Sequence, residues 1–239
     1  MIARVVGGLG QLVDGDLGAR EARVTEAEVH DIATSSTGLA LEAIADREYV
    51  RGQLIVVDVQ PTFCEGGSLP VEGGNAVAEA IASFAKARRS DYALVATTQD
   101  WHIDPGAHFS DEPDFIDSWP PHGVAGTEEA DLHPALAGLD ADISVKKGQY
   151  AAAYSGFEGT ADNGSTLADL LAGAGIDEVD VVGIAESHCV LRTALDAVDE
   201  GLAVRVFTDL TVPVSPEQGE AARELLADAG VVLAPSSDA

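Results

Sequence analysis

The chain has 239 residues, 46% of them apolar, enough for one sizeable α/β domain plus an extension and too apolar for a disordered chain. Its 41 acidic residues against 13 basic ones give a formal net charge of -28, spread along the whole chain. That is a strongly hydrated surface of the wrong sign for phosphates, which argues against nucleic acid and anionic membrane as partners.

Residues 1–52 show no strand and helix rhythm beyond a short helical stretch from Leu39 to Val50, and form an N-terminal extension of unknown role. From residue 53 to 239 the pattern changes. β-Rich runs at 54–57, 92–96, 143–145, 179–182, 204–207 and 231–233 alternate with helical stretches. Ala76, Val77, Ala80, Ile81 and Phe84 recur at helical spacing, as do Val190, Leu191, Ala194, Leu195 and Val198 ahead of Gly201. Further helices are predicted over 165–172 and over 216–229, the latter with Pro near its start and Gly230 after its end. This alternation predicts a three-layer domain with a six-stranded, mostly parallel sheet flanked by helices, Rossmann-like in architecture. The segment 100–140 carries five prolines and little periodicity, far beyond the usual connection of about 4–6 residues. Two cysteines, Cys64 and Cys189, cannot make a disulfide framework, and no run approaches the ~20 apolar residues of a membrane span, so a reducing, cytoplasmic setting is expected.

Parallel sheets bind ligands beyond the carboxyl ends of their strands, so the polar residues that follow the apolar runs come first. Asp58 follows Leu54-Ile55-Val56-Val57; taken alone, an Asp there is more often a turn or cap residue. Cys189 closes Gly183-Ile184-Ala185-Glu186-Ser187-His188-Cys189, between the fourth strand and the next helix. A thiol at a helix N-terminus is expected to favour the reactive thiolate, although a Cys is often only a small buried hydrophobe, as Cys64 is expected to be. Lys147 follows the third strand and is one of only three lysines. Asp100 and His102 stand at i and i+2 and point the same way in extended chain, with His108 and His122 further along the loop. One carboxylate and three imidazoles suit a divalent transition ion such as Zn, Fe or Mn. His133 is left outside that set.

The runs DVQPTFCEGGSLPVEGGNA, ATTQDWHIDPGAHFS, SWPPHGVAGT, KKGQYAAAYSGFEG and DEVDVVGIAESHCV resemble the nicotinamidase and pyrazinamidase family within the isochorismatase-like cysteine hydrolases, from about Leu54 to the C-terminus. The resemblance implies a catalytic triad of Asp58, Lys147 and Cys189 and a metal held by Asp100, His102, His108 and His122. It implies a cis peptide between Ile184 and Ala185 that turns the N–H groups of Ala185 and Cys189 toward the substrate oxygen. Phe63, Trp119, Tyr154 and Ile184 would wall the pyridine pocket. The implied reaction is hydrolysis of nicotinamide to nicotinate and ammonia through a cysteine thioester, with one divalent metal and no organic cofactor. Glu186-Ser187 departs from the polar pair of some relatives, and Pro61 replaces a commoner polar residue after Gln60. Two alternatives stay open: a carbamoyl or ureido amidohydrolase with the same triad, and a silent binding protein on this fold. The choice between monomer and homo-oligomer stays open as well.

Overall fold

In the computed structural model, which describes residues 51–239, the apolar runs pair into one sheet. β1 (Arg51–Val57), β2 (Tyr92–Asp100), β3 (Ile143–Lys147), β4 (Glu178–Ile184), β5 (Ala203–Val212) and β6 (Val232–Ala234) lie in the order β3-β2-β1-β4-β5-β6. Every pairing is parallel, a stricter arrangement than the mostly parallel sheet expected. Four helices flank it: α1 (Gly74–Arg88), α2 (Leu167–Ala174), α3 (Leu191–Asp199) and α4 (Pro216–Asp228).

Successive residues of a strand face opposite sides, so a strand covered on both faces needs an unbroken apolar run. β1 shows this: Leu54 and Val56 join Val77, Ile81 and Ala85 in one layer, while Ile55 and Val57 join Leu167, Leu171, Ala194 and Leu226 in the other. Each such side chain contributes about 1.5–3 kcal/mol when fully buried. The helix starts follow from their caps: Thr166 Oγ1 accepts from Asp169 N at 3.1 Å ahead of α2, and Ser215 Oγ accepts from Gln218 N at 3.3 Å ahead of α4, where Pro216 takes the first position.

The central strand is β1; the chain winds outward through β2 and β3, then crosses back to lay β4, β5 and β6 on the other side. The strand order therefore reverses between β1 and β4, and the crevice beyond their carboxyl ends is where such sheets hold ligands. Gly183 permits this junction: its φ is 134°, and a Cβ there would lie 2.0 Å from Val57 O.

Two local features depart from expectation. The helix predicted from Val190 begins at Leu191, because 186–190 form a separate π turn. The segment between β2 and β3 is irregular as expected, apart from short 3₁₀ turns at 106–108 and 134–136. The stretch from Leu39 to Val50 lies outside the described residues. Among the described residues no helix is long and apolar enough to cross a membrane.

Candidate active site

Three strand ends and one turn converge at the crevice. Asp58 follows β1 with a left-handed φ of 47°. Its backbone N–H lies 3.2 Å from Thr98 Oγ1, and that hydroxyl donates to Asp58 Oδ1 at 2.6 Å. Lys147 ends β3, Asp100 ends β2, and Cys189 sits in the π turn after β4. All four side chains are buried.

Lys147 Nζ is the hub. It donates to Asp100 Oδ1 and, at 3.1 Å, to Ala153 O; it lies 3.0 Å from Asp58 Oδ2 and 3.6 Å from Cys189 Sγ. The side-chain ligand atoms of Asp58, Asp100 and Cys189 all lie within 4.8 Å of one another. Although close to Nζ, Asp58 Oδ2 has no aligned hydrogen bond to it, so the two pair by charge.

The electrostatics divide the labour. Burial raises the Asp58 pKa above the ordinary carboxylate value, and the Lys147 charge only partly offsets it. Burial also works against a charged Lys147, but Asp100 and Asp58 outweigh it and hold the ammonium well above the usual lysine range. Burial pushes the Cys189 thiol well above its ordinary value despite Lys147. Burial therefore works against the thiolate that a place ahead of a helix is expected to favour. The Cys189 thiol thus lies beside a carboxylate whose raised pKa suits it to accept a proton. Cys64, as expected, shows no such activation: burial first and Glu65 second push its thiol up to about 11.

Asp100 faces two ways. Its Oδ1 meets Lys147, and its Oδ2 lies 3.6 Å from both His102 Nε2 and His122 Nε2. His102 Nδ1 lies 2.5 Å from Gly148 O and His122 Nδ1 2.8 Å from Pro120 O. A carbonyl only accepts, so each ring carries a proton on Nδ1 and turns Nε2 toward Asp100. Gly148 is needed here, since at φ 71° a Cβ would lie 2.4 Å from His102 Cε1. His102 Nε2 and His108 Nδ1 are buried without a hydrogen-bond partner, and one ligand atom from each of His102, His108 and His122 lies within 4.8 Å of the others. Burial and then the neighbouring imidazoles lower the His108 pKa to about 4, which leaves its ring neutral at ordinary pH. Three inward ring nitrogens beside a carboxylate fit a divalent transition ion.

Between the two clusters opens a pocket lined by Asp100, His108, His122, Ala185 and Cys189, with Phe63, Trp119 and Tyr154 as aromatic walls. Trp119 Nε1 donates to Tyr154 Oη at 2.9 Å, which fixes both planes. The sequence-predicted residues thus meet, with one exception: Ile184 packs in the apolar core with Val56 and Val182 and does not line the pocket. His188, Leu69, Pro70, Val71 and Val214 line it without having been anticipated. Adjacency to Cys189 could have pointed to His188, and the i−2 relation of Thr98 to Asp100 on β2 could have pointed to Thr98. The other wall residues come from irregular chain with no periodic signal. The Ile184–Ala185 peptide is cis, as the resemblance implies.

Comparison with known proteins agrees with this geometry. The isochorismatase domain model matches residues 53–238. The nicotinamidase/pyrazinamidase of Mycobacterium tuberculosis is 54% identical over 184 residues, which is 77% of this chain and 98% of that protein. A structure from L. infantum solved in complex with nicotinate superposes with a TM-score of 0.68 at 36% identity, covering 79% of this chain and 94% of that one. The pyrazinamidase of Pyrococcus horikoshii in complex with zinc superposes with a TM-score of 0.66 at 31% identity, covering 77% and 99%. The parallel sheet, the buried Asp58, Lys147 and Cys189 cluster and these matches agree: the chain belongs to the isochorismatase family, among its nicotinamidases and pyrazinamidases.

Proposed function

We propose that the chain is an amidohydrolase that converts nicotinamide, and its pyrazine analogue, to the carboxylate and ammonia through Cys189. The observation that carries this reading is the buried thiol within 4.8 Å of an Asp58 carboxylate whose pKa is raised, opening onto an aromatic-walled pocket. Asp58 takes the thiol proton, and Cys189 Sγ attacks the amide carbon. The oxyanion is held by the N–H groups of Ala185 and Cys189. Collapse breaks the C–N bond as Asp58 hands its proton to the departing nitrogen, giving ammonia and a thioester. Water then attacks with Asp58 as base, the C–S bond breaks, and the proton returns to sulfur. Lys147 stays charged throughout and offsets Asp58 and Asp100 as the negative charge moves between them and sulfur.

Asp100, His102, His108 and His122 would hold one divalent ion, which supplies a Lewis-acid anchor for the ring nitrogen. Zinc is our first assignment, ahead of iron and manganese, because the donor set is nitrogen-rich and a zinc-bound relative shares the fold. Residues 53–239 form the hydrolase domain, and residues 1–52 are an extension outside the family match. A reducing compartment such as the cytoplasm fits an enzyme whose described cysteines are both free.

Ammonia release from nicotinamide by purified protein, with a carbamoyl substrate alongside, tests the reading. Faster turnover of the carbamoyl compound would overturn it.

A further inference from the structure

The π turn that carries Cys189 also carries Glu186, a buried carboxylate that takes no part in the chemistry above. Its partner is Arg223, one turn beyond Gly219 on α4: Nε donates to Oε1 at 2.7 Å and Nη2 to Oε2 at 2.9 Å. The guanidinium is held in its charged form first by these hydrogen bonds. α4 can approach because Gly219 has no side chain; a Cβ there would lie 2.8 Å from Pro213 and 3.8 Å from Glu186 Oε2. A second brace runs from the neighbouring residue, where Ser187 Oγ accepts from Val214 N at 3.2 Å.

π turns are rare, occur mostly as single turns and are found frequently at functional sites. Ala185 O accepts from both His188 N, at 3.0 Å, and Val190 N, at 3.1 Å. A bidentate carboxylate–guanidinium pair fixes angle as well as distance, and its carboxylate end is sealed from water.

We infer that Glu186 and Arg223 are a positioning pair for the amidase reaction, clamping the turn to α4 so that Cys189 Sγ and the Ala185 and Cys189 N–H groups keep their register. The inference rests on the proposed amidase chemistry. Neither residue is in the pocket lining, so their contribution is to the reacting geometry and not to substrate contact.

The test compares Arg223→Met, Arg223→Lys and Glu186→Gln with the parent, each checked for folding by circular dichroism. A loosened nucleophile and oxyanion site costs turnover without loosening the ring anchor, so kcat falls roughly 10-fold to 100-fold while KM stays within about twofold. An aldehyde analogue of the substrate, which captures the thiol as a tetrahedral adduct, weakens by the same factor, whereas nicotinate affinity is unchanged. Arg223→Lys keeps a cation but not the fork, and recovers part of kcat. The double variant Glu186→Gln/Arg223→Met is no slower than Arg223→Met, because both changes disable one device. Alkylation of Cys189 by iodoacetamide, located by peptide mass, slows in step with kcat because it draws on the same Asp58 alignment. That readout needs no amide substrate: a parent inactive on nicotinamide, with alkylation still slowed in the variants, would refute the amidase reading and uphold the clamp. Folded variants whose kcat, aldehyde affinity and alkylation rate all match the parent would overturn the clamp. Should Arg223→Met fail to fold, Arg223→Lys and Glu186→Gln decide by the same criteria.

Discussion

At the amino-terminal end of the sheet, Arg205 of β5 grips Asp180 of β4 with Nε at 2.8 Å and Nη2 at 2.6 Å, and Tyr92 Oη donates to the same carboxylate at 2.6 Å. The guanidinium also lies 4.6 Å from the Phe207 ring centroid. At the carboxyl end, Lys147 meets Asp58, Asp100 and Cys189 over comparable distances. The first carboxylate spends both oxygens on aligned donors. Both clusters border a pocket, but the second leaves Asp58 Oδ2, His102 Nε2 and His108 Nδ1 buried without hydrogen-bond partners. Gln53, whose amide is likewise unpaired near Asp180, is the exception that keeps the contrast from being absolute. The lesson is that a buried ion cluster marks chemistry when its acceptors are left for something that arrives, not merely when it is buried.

The strongest way to break this contrast is to remove the atoms said to react. Cys189→Ala should reduce ammonia release by roughly 10⁴-fold or more, and Asp58→Asn should be comparably damaging because an amide can neither take the thiol proton nor return it. Nicotinate binding measured by calorimetry should survive Cys189→Ala. Retention of most of the parent rate by Asp58→Asn would assign the base elsewhere.

Metal removal comes next. Exhaustive chelation should abolish turnover by removing the ring anchor, and should lower Tm, since an ion at 100 times its Kd stabilises the folded state by about 2.7 kcal/mol. Zinc should restore both. Active protein with no transition metal by elemental analysis would remove the ion from the scheme.

The paired substitutions Lys147→Met and Arg205→Met sharpen the comparison directly. Lys147→Met strands buried carboxylates and should cost about 3–5 kcal/mol of stability along with activity. Arg205 is partly exposed, so Arg205→Met should cost only about 1 kcal/mol, with kcat per folded molecule within about twofold. Urea titration with activity measured on the same samples separates the two effects; a large fall in kcat for Arg205→Met would mean that the two ends are coupled.

Much of the catalytic end was readable from sequence because its residues follow strand-forming runs. Asp58 comes straight after Leu54-Ile55-Val56-Val57, Lys147 ends the third run, and Asp100 and His102 share one face of extended chain. Hydrophobic periodicity places strand ends, and strand ends place the crevice. What could not be read depends on chain that periodicity does not describe. Glu186 and Arg223 are separated by 37 positions, and neither lies in a pattern that names the other. The π turn has no sequence signature apart from the helix it precedes. Ile184 differs: the resemblance implied a place on the pocket wall, but alternation along β4 turns it into the core, and Ala185 reaches the pocket instead.

The smallest expected effect belongs to residues 1–48. The chain enters β1 at Arg51, at the amino-terminal end of the sheet, away from the strand ends that carry Asp58, Asp100 and Lys147. Among the described residues, the apolar clusters on both faces of the sheet begin at Leu54, and those residues belong to one compact unit. The M. tuberculosis relative is 98% covered by the 184 aligned residues, so that protein has little chain to spare for such an extension. A chain beginning at Tyr49 should therefore keep kcat/KM within about twofold and unfold cooperatively, because terminal segments without catalytic groups tolerate removal. Ammonia release and thermal unfolding of the shortened chain measure this. A drop in Tm with kcat unchanged would assign the extension a role in stability. A tenfold loss of kcat would instead mean that the extension contributes to the reaction.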